Sequence, residues 1–408
     1  MLNYLRLENV GPAPKMDFEF APRLNLLTGD NGLGKSFVLD VAWWVLAATW
    51  ARQPVIPARP PAVSQIGYSF GVGGFADLFR YERRAEPWLD VKRDPPPAAL
   101  VLYAEVDGGF AVWDPARSLD SGAAEGMPRA FHFSAEEVWS GSEHCEGLIR
   151  DWASWQRERN GSFAMLKDVL LALSPSGEEP LAPGELRRIS IRDPKDYPTL
   201  RMPYGEDVAV VHASAGMRRI IALSYLLVWA WREHLAACQL LGQEPTREVI
   251  FLVDEVEAHL HPRWQRVILP ALLSVMDELV KGATVQAIVA THSPLVLASM
   301  EGSFDAERDR LLDLELVDGE VVVRQLDYEP LGTADDWLTS DAIGLRTARG
   351  SVGQEQLLTE LAEAWNDPDL SAERYGALAE RLQNSSLPAI DPVRTNWLLL
   401  GQRKGFVA

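Results

Sequence analysis

Two short stretches of this sequence carry residue types that serve phosphate chemistry. Gly29-Asp30-Asn31-Gly32-Leu33-Gly34-Lys35-Ser36 matches G-x-x-x-x-G-K-[ST] at every fixed position. Glycines let the backbone turn so that successive N–H groups face an anion, and the positive end of a following helix adds to the attraction. Lys35 then reaches the β- and γ-phosphates of a nucleotide, and Ser36 offers its hydroxyl to the Mg²⁺ that bridges them. An ordinary glycine-rich turn has no need of Lys and Ser at that offset. The second stretch is Val249-Ile250-Phe251-Leu252-Val253-Asp254-Glu255, an apolar run that stops at two carboxylates. Asp254 suits the metal's shell, and Glu255 suits a group that orients or deprotonates an attacking water. Alone, the run is a strand ending in solvated acids; beside a phosphate loop it becomes half of a site.

Two weaker elements accompany them. Thr291-His292-Ser293-Pro294 follows another apolar run, 38 positions after Asp254. A histidine there can hydrogen-bond a γ-phosphate, although in isolation the stretch reads as a capping or core histidine. His212-Ala213-Ser214-Ala215-Gly216-Met217-Arg218-Arg219 opens a long apolar helix with a turn of small residues. Ser214 is its expected N-cap, and an uncrowded helix N-terminus at Ser214, Ala215 and Gly216 makes a second anion site. Arg218 and Arg219 are expected on the solvated or partner-facing side of that helix.

The elements that must position these residues follow from the apolar pattern. Strands are expected over Tyr4–Val10, Met16–Phe20 and Leu24–Thr28, the last running into Gly29, with a helix from Ser36 to Trp50 after the loop. The stretch from 65 to 133 reads as β-rich, with runs at Phe79–Arg83, Leu100–Val106, Phe110–Trp113 and Ala130–Phe133. Beyond it come a helical segment Glu143–Leu173, strands Leu186–Ile191 and Asp207–Val211, and a helix Met217–Leu241. Strands Val249–Val253 and Thr284–Ala290 flank a helix Arg263–Lys281, and Leu311–Leu326 reads as two strands around Asp318-Gly319. Strands alternating with helices indicate an α/β fold built on a mostly parallel sheet. Residues 331–408 read as helical.

Composition narrows the function classes. Of 408 residues, 58 are acidic and 39 basic, a net charge of −19 that disfavours unspecific binding to nucleic acid or anionic membranes. The longest apolar stretches, Val41–Ala51 and Ile220–Trp231, fall well short of the ~20 residues of a membrane span. The N-terminus alternates like a strand and lacks the pattern of a signal peptide. Cys145 and Cys238 are too few for a disulfide framework or a zinc site, so a reducing cytoplasm is the expected location.

The four elements, in this order, resemble the ATP-binding-cassette class of P-loop ATPases, in the SMC/RecF/OLD-like branch without membrane segments. The resemblance covers about residues 1–330 and implies an ATPase head with a β-rich and helical insertion over about 65–206, followed by a helical region 331–408. It implies a fold in which a mostly parallel sheet is flanked by helices and joined by an antiparallel β part. It places Walker A at Gly29–Ser36, with Phe37 among the nucleotide-binding residues, Walker B at Val249–Asp254, the catalytic glutamate at Glu255, the switch histidine at His292 and the signature at Ser214–Gly216. In that class two heads bind face to face, each signature contacting the ATP held by the other head, so ATP, Mg²⁺ and a homodimer or higher homo-oligomer are implied. The signature departs from the transporter pattern, reading Ser-Ala-Gly-Met, and Glu257-Ala-His259-Leu-His261-Pro262 stands where an Asp-bearing loop is usual. The Q-loop role stays unassigned, its best place by order being near Phe131–Glu137, where Glu136 and Glu137 stand.

The 178 residues between Lys35 and Ser214 are far too few for an SMC coiled coil, and heptads are absent. The 114 residues after Pro294 leave little room for an OLD-type nuclease domain once the sheet is completed. What remains is similar to the ATPase subunits of prokaryotic anti-phage systems, among them Septu and retron-associated PtuA proteins. That resemblance implies a separate HNH-type nuclease as effector, with nucleic acid reached through the partner. A scaffold using ATP as structural glue, a DNA-repair ATPase of the SMC/RecF kind and a transporter motor are the competing readings. Three further features are discounted. Gly71-Val-Gly73-Gly74-Phe-Ala76 reads as a loop, and His259 and His261 with Asp254 and Glu257 as loop residues without a transition metal. The charges at Tyr81–Arg84 and Val91–Asp94 read as solvated faces.

Overall fold

The computed structural model describes residues 1–57, 63–70, 78–81, 88, 98–118, 130–345, 348 and 352–407, and falls into two compact units, Met1–Trp337 and Leu338–Ala408. The strands of the first unit are β1 (Leu2–Glu8), β2 (Lys15–Glu19), β3 (Leu24–Gly29), β4 (Gln65–Phe70), β5 (Leu78–Arg80), β6 (Leu100–Ala104), β7 (Phe110–Trp113), β8 (Phe131–Phe133), β9 (Ala182–Pro183), β10 (Thr199–Arg201), β11 (Asp207–Ala209), β12 (Glu248–Val253), β13 (Thr284–Ala290), β14 (Asp309–Val317) and β15 (Glu320–Leu326). The helices, in chain order, are α1 (Lys35–Ala47), α2 (Pro115–Ser118), α3 (Ala135–Ser140), α4 (Leu148–Glu158), α5 (Gly161–Ala172), α6 (Ala215–Leu241), α7 (Pro262–Gln265), α8 (Ile268–Leu279), α9 (Pro294–Ser299), α10 (Ala334–Leu338), α11 (Val352–Asn366), α12 (Ala372–Gln383) and α13 (Pro392–Lys404).

Eight strands form one sheet in the order β15-β14-β3-β13-β12-β6-β7-β8. Its five central strands are parallel, and β15, β7 and β8 add antiparallel edges. Parallel strands covered on both faces need apolar residues at nearly every position, which is why β6 is buried throughout and β12 and β13 from their second residues onward. The parallel arrangement puts the carboxyl ends of β3, β13, β12 and β6 along one edge of the sheet, the place where open α/β sheets bind ligands. Gly29, Thr291, Asp254 and Glu105 stand at or just past those four ends.

A second, antiparallel sheet, β2-β1-β4-β5, shares one core with α1. Trp43 and Trp44 of α1 are buried there, and Trp44 stacks on Trp50 at 5.1 Å, so the tryptophan-rich run is core. Two buried amides brace this region, and the first joins the two sheets. Gln286 of β13 accepts from the Leu2 amide and donates to the Leu2 and Ala21 carbonyls, and Asn25 of β3 closes a loop onto Ala21. Each satisfies a buried polar group that would otherwise be costly.

Several expected elements differ in the structure. No strand forms over Leu186–Ile191: Arg187 bridges only to Tyr197, and Ile191 is fully exposed, because alternation without a partner strand leaves nothing to pair with. The expected helix Glu143–Leu173 is two helices, separated where Arg159 takes φ 51° and Asn160 caps the second. Arg263–Lys281 likewise breaks after Gln265, and α1 stops at Ala47 because Ala48 turns left-handed. β4 falls within the β-rich stretch expected over 65–133, without a run of its own there, and α3 is not among the expected elements. Gly71–Ala76, Glu82–Arg84 and Val91–Asp94 lie outside the described residues.

The second unit packs α11, α12 and α13 around Leu361, Tyr375, Leu378, Trp397 and Leu400. Tyr375 stacks on Trp397 at 5.1 Å and donates its hydroxyl hydrogen to the Trp397 carbonyl.

Candidate functional site

β3 delivers the chain to the edge of the sheet and α1 carries it away, so the turn between them is fixed at both ends. Gly29 sits at φ 122°, and a Cβ there would lie 2.2 Å from the Leu314 carbonyl oxygen of the neighbouring strand. Only glycine meets both demands. Gly32 and Gly34 also take positive φ, 82° and 104°. Gly34 caps α1 without a side-chain hydrogen bond, leaving the first-turn amides to an anion. The Lys35 ammonium donates to the Gly29 and Asp30 carbonyls at 2.6 and 3.0 Å, poised over its own loop. Burial lowers its pKa, opposed by the carboxylates of Glu255, Glu257, Asp30 and Asp254. The ring of Phe37 packs against Gly11, so its backbone amide is the group it has to offer.

β12 brings Asp254 to the same edge, with its side chain wholly buried. The Ser36 hydroxyl donates to Asp254 Oδ1 at 2.9 Å, bringing together two oxygens that the sequence singles out 218 positions apart. Burial raises the pKa of Asp254, and the Ser36 hydrogen bond and the Arg52 charge oppose that rise. This all-oxygen donor pair suits a hard divalent cation. Arg52, from the loop after α1, reaches Asp254 Oδ2 at 3.4 Å and Glu105 Oε2 at 3.2 Å, with Asp40 at 3.9 Å. Tyr103 donates to Asp40 at 2.9 Å and lies under the Arg52 guanidinium. Glu105, at the end of β6, has its pKa pushed up to about 7 by burial despite Arg52.

Past Asp254 the chain makes a tight turn. Glu255 takes φ 48° and His259 φ 63°, conformations uncommon for non-glycine residues. Glu257 is buried. Its Oε1 accepts the His292 amide hydrogen at 2.7 Å and lies 3.3 Å from His292 Nδ1, while Oε2 is buried with no hydrogen-bond partner. The acid that holds His292 is therefore Glu257 rather than Glu255. His261 accepts the Arg263 amide hydrogen and so caps α7, and among the described residues no three His, Cys, Asp or Glu gather as a metal cluster.

Ser214 caps α6, accepting from the Met217 amide at 3.4 Å, and is exposed together with Ala215. Gly216 is buried because the His259 carbonyl leaves no room: a Cβ would lie 2.7 Å from that oxygen. Arg218 lies over the Trp139 ring. The expectation for Arg219 is corrected. Its guanidinium turns inward and donates to four main-chain carbonyls, of Glu105, Val106, Asp254 and Glu255. Glu137 is engaged in a capping box with Ser134 at the start of α3, and Glu105 is the acid that pairs with Arg52. Arg52, Glu105 and Asp40 carry no motif, but Glu105 had a signal: it ends an apolar strand as Asp254 does.

A phosphate loop after β3 and an acid-ended strand two places along, beyond β13, at the carboxyl edge of a parallel sheet make a P-loop ATPase domain. The chain belongs to the family described as AAA domain, putative AbiEii toxin, Type IV TA system, whose model matches residues 24–298. It is 34% identical to Septu protein PtuA of Bacillus mycoides (strain KBAB4) over 353 residues, 81% of this chain and 43% of that protein. It is 31% identical to the retron Vc95 probable ATPase of Vibrio cholerae serotype O1 biovar El Tor over 97 residues, 24% of this chain and 17% of that protein. The chain thus spans less than half the length of these relatives. Among solved structures it is similar to the SMC head domain from Thermotoga maritima, with 14% identity and a TM-score of 0.37, over 80% of this chain and 99% of that one. Among the described residues, no helix is long and apolar enough to cross a membrane.

Proposed function

We propose that the chain binds and hydrolyses ATP, and that two heads close around the nucleotide. The observation that carries this reading is the direct Ser36–Asp254 hydrogen bond, 2.9 Å, beside a loop whose lysine is held over its own Gly29 and Asp30 carbonyls. In this reading the amides of Gly29–Phe37 bind the phosphates, and Lys35 exchanges its two carbonyl partners for phosphate oxygens. Ser36 and Asp254 would hold Mg²⁺, which would supply positive charge against the phosphates. Glu255 orients the attacking water, and His292, fixed by Glu257, presents its ring to the γ-phosphate. Ser214 and Ala215, exposed at the N-terminus of α6, with buried Gly216 behind them, offer that helix end to the nucleotide of a second head.

The partner is proposed to be a separate nuclease, of the HNH type, in a defence role like that of the Septu and retron systems to which the relatives belong; nucleic acid is met through it, in the cytoplasm. Phosphate release by the wild-type chain, lost in Glu255→Gln while ATP binding persists, tests hydrolysis. Binding with no release in any assembly would favour the scaffold reading.

A further inference from the structure

We propose that Arg219 is a positioning residue, a strut through which the N-terminal end of α6 sets the backbone that carries Asp254 and Glu255. The inference rests on the reading above, in which that helix end engages the second head's nucleotide. Nη1 donates to the Val106 carbonyl at 2.8 Å and the Glu105 carbonyl at 3.3 Å; Nη2 donates to the Asp254 carbonyl at 3.0 Å and the Glu255 carbonyl at 3.3 Å. One planar group thus ties together the ends of two parallel strands. Arginine is the side chain suited to this, because its donors form a rigid fork, whereas lysine carries a single ammonium on a flexible stem.

Three features show that the strut bears on chemistry rather than on packing alone. Two of its four acceptors belong to the residues that hold the metal and orient the water. Glu255 holds φ 48°, an uncommon conformation that persists only where surrounding contacts impose it. Arg219 also lies only five positions after Ser214, on the first turns of α6, and Gly216 of the same turns touches the His259 carbonyl at the far side of the 254–260 turn. Displacement of this helix end therefore reaches the Asp254–Glu255 backbone along two contacts. Beside the strut lies a cavity of about 280 Å³, bordered by Glu105, Ala215, Arg218, Val256 and His259.

The test compares wild type with Arg219→Lys and Arg219→Gln, after thermal melting has shown that each folds. Expected for Arg219→Lys is ATP affinity within about twofold of wild type and turnover lower by about 10²-fold, the scale of loss from a misplaced catalytic group. In a Glu255→Gln background the same substitution should cost clearly less than it does in the wild-type background, because one of the two groups it positions is already gone. Hydrogen exchange at the amides of residues 255–258 gives a readout independent of turnover. It should slow in wild type when ATP closes the heads and stay fast in Arg219→Lys even where crosslinking shows closure. Equal turnover in Arg219→Lys and wild type, or equal protection of 255–258 in both, would overturn the strut. If wild type neither hydrolyses nor closes, the parent reading fails instead. Faster exchange at 255–258 in ATP-bound Arg219→Lys than in wild type would then still support the strut.

Discussion

The carboxyl edge of the parallel sheet and the N-terminal end of α6 present opposite surroundings to the same chemistry. At the edge, Ser36, Asp254, Arg52 and Glu105 are linked by hydrogen bonds and ion pairs between residues far apart in the chain, Lys35 is held by the carbonyls of its own loop, and the Asp254 side chain has no exposed surface. At the helix end, Ser214 and Ala215 are exposed, and the Ser214 hydroxyl reaches only the third residue onward. A buried carboxylate is tolerated only with partners supplied by its own chain. An exposed cap needs none, and whatever it meets arrives from outside. The contrast separates a half-site assembled by folding from one that, on the proposal above, is completed by association.

The largest effect that sharpens this contrast is expected from Lys35→Ala. It removes the ammonium aimed at the β- and γ-phosphates while leaving the loop backbone in place, and ATP affinity measured by calorimetry should fall by at least about 10²-fold. Undiminished affinity would break the assignment of the edge. Next, Gly29→Ala drives a methyl group against the Leu314 carbonyl at a φ of 122°. Cooperative melting should show a loss of about 3 kcal/mol or more, with nucleotide binding lost as well.

A smaller effect concerns Glu105, whose pKa stands at about 7 against an ordinary 4.5. The folded chain holds a proton there that the unfolded chain releases, so this group's contribution to stability is full below the unfolded value and falls as pH rises through that window. Melting of Glu105→Gln should lack that part of the fall, worth at most about 3 kcal/mol by pH 8. Parallel pH profiles of the two proteins would show that Glu105 is not the buried acid described here. Smallest of all, Ser214→Ala removes one exposed cap. Stability should drop by about 1 kcal/mol while ATP affinity at the phosphate loop stays the same.

The loop at 29–36 is legible in sequence because it is a backbone demand: glycines where φ is positive, then Lys and Ser at fixed offsets. β7 and β13 are legible to the residue, since buried strands must be apolar at nearly every position, Gln286 being the buried exception in β13. Arg52 is not legible, because its three carboxylate partners come together only when β6, β12 and α1 are assembled. Arg219 lay within reach of the pattern. It falls three positions after buried Gly216 and four before buried Leu223, on the inward face of α6, and only its charge argued for solvent. Leu186–Ile191 shows the converse, an alternating run that misleads because pairing depends on a neighbour the pattern does not contain.

The central claim, that an active site draws its phosphate loop from one head and Ser214–Gly216 from another, is tested most directly by complementation. Lys35→Ala and Ser214→Arg should each be inactive alone, the first for want of a phosphate-binding cation and the second because bulk and charge block closure. In an equal mixture with exchanging subunits, half the dimers are mixed, and each of those has one of its two sites intact. Phosphate release should then recover to roughly a quarter of the wild-type rate. If no ratio of the two restores activity, and Ser214→Arg alone hydrolyses ATP as fast as wild type, the site is not shared between heads.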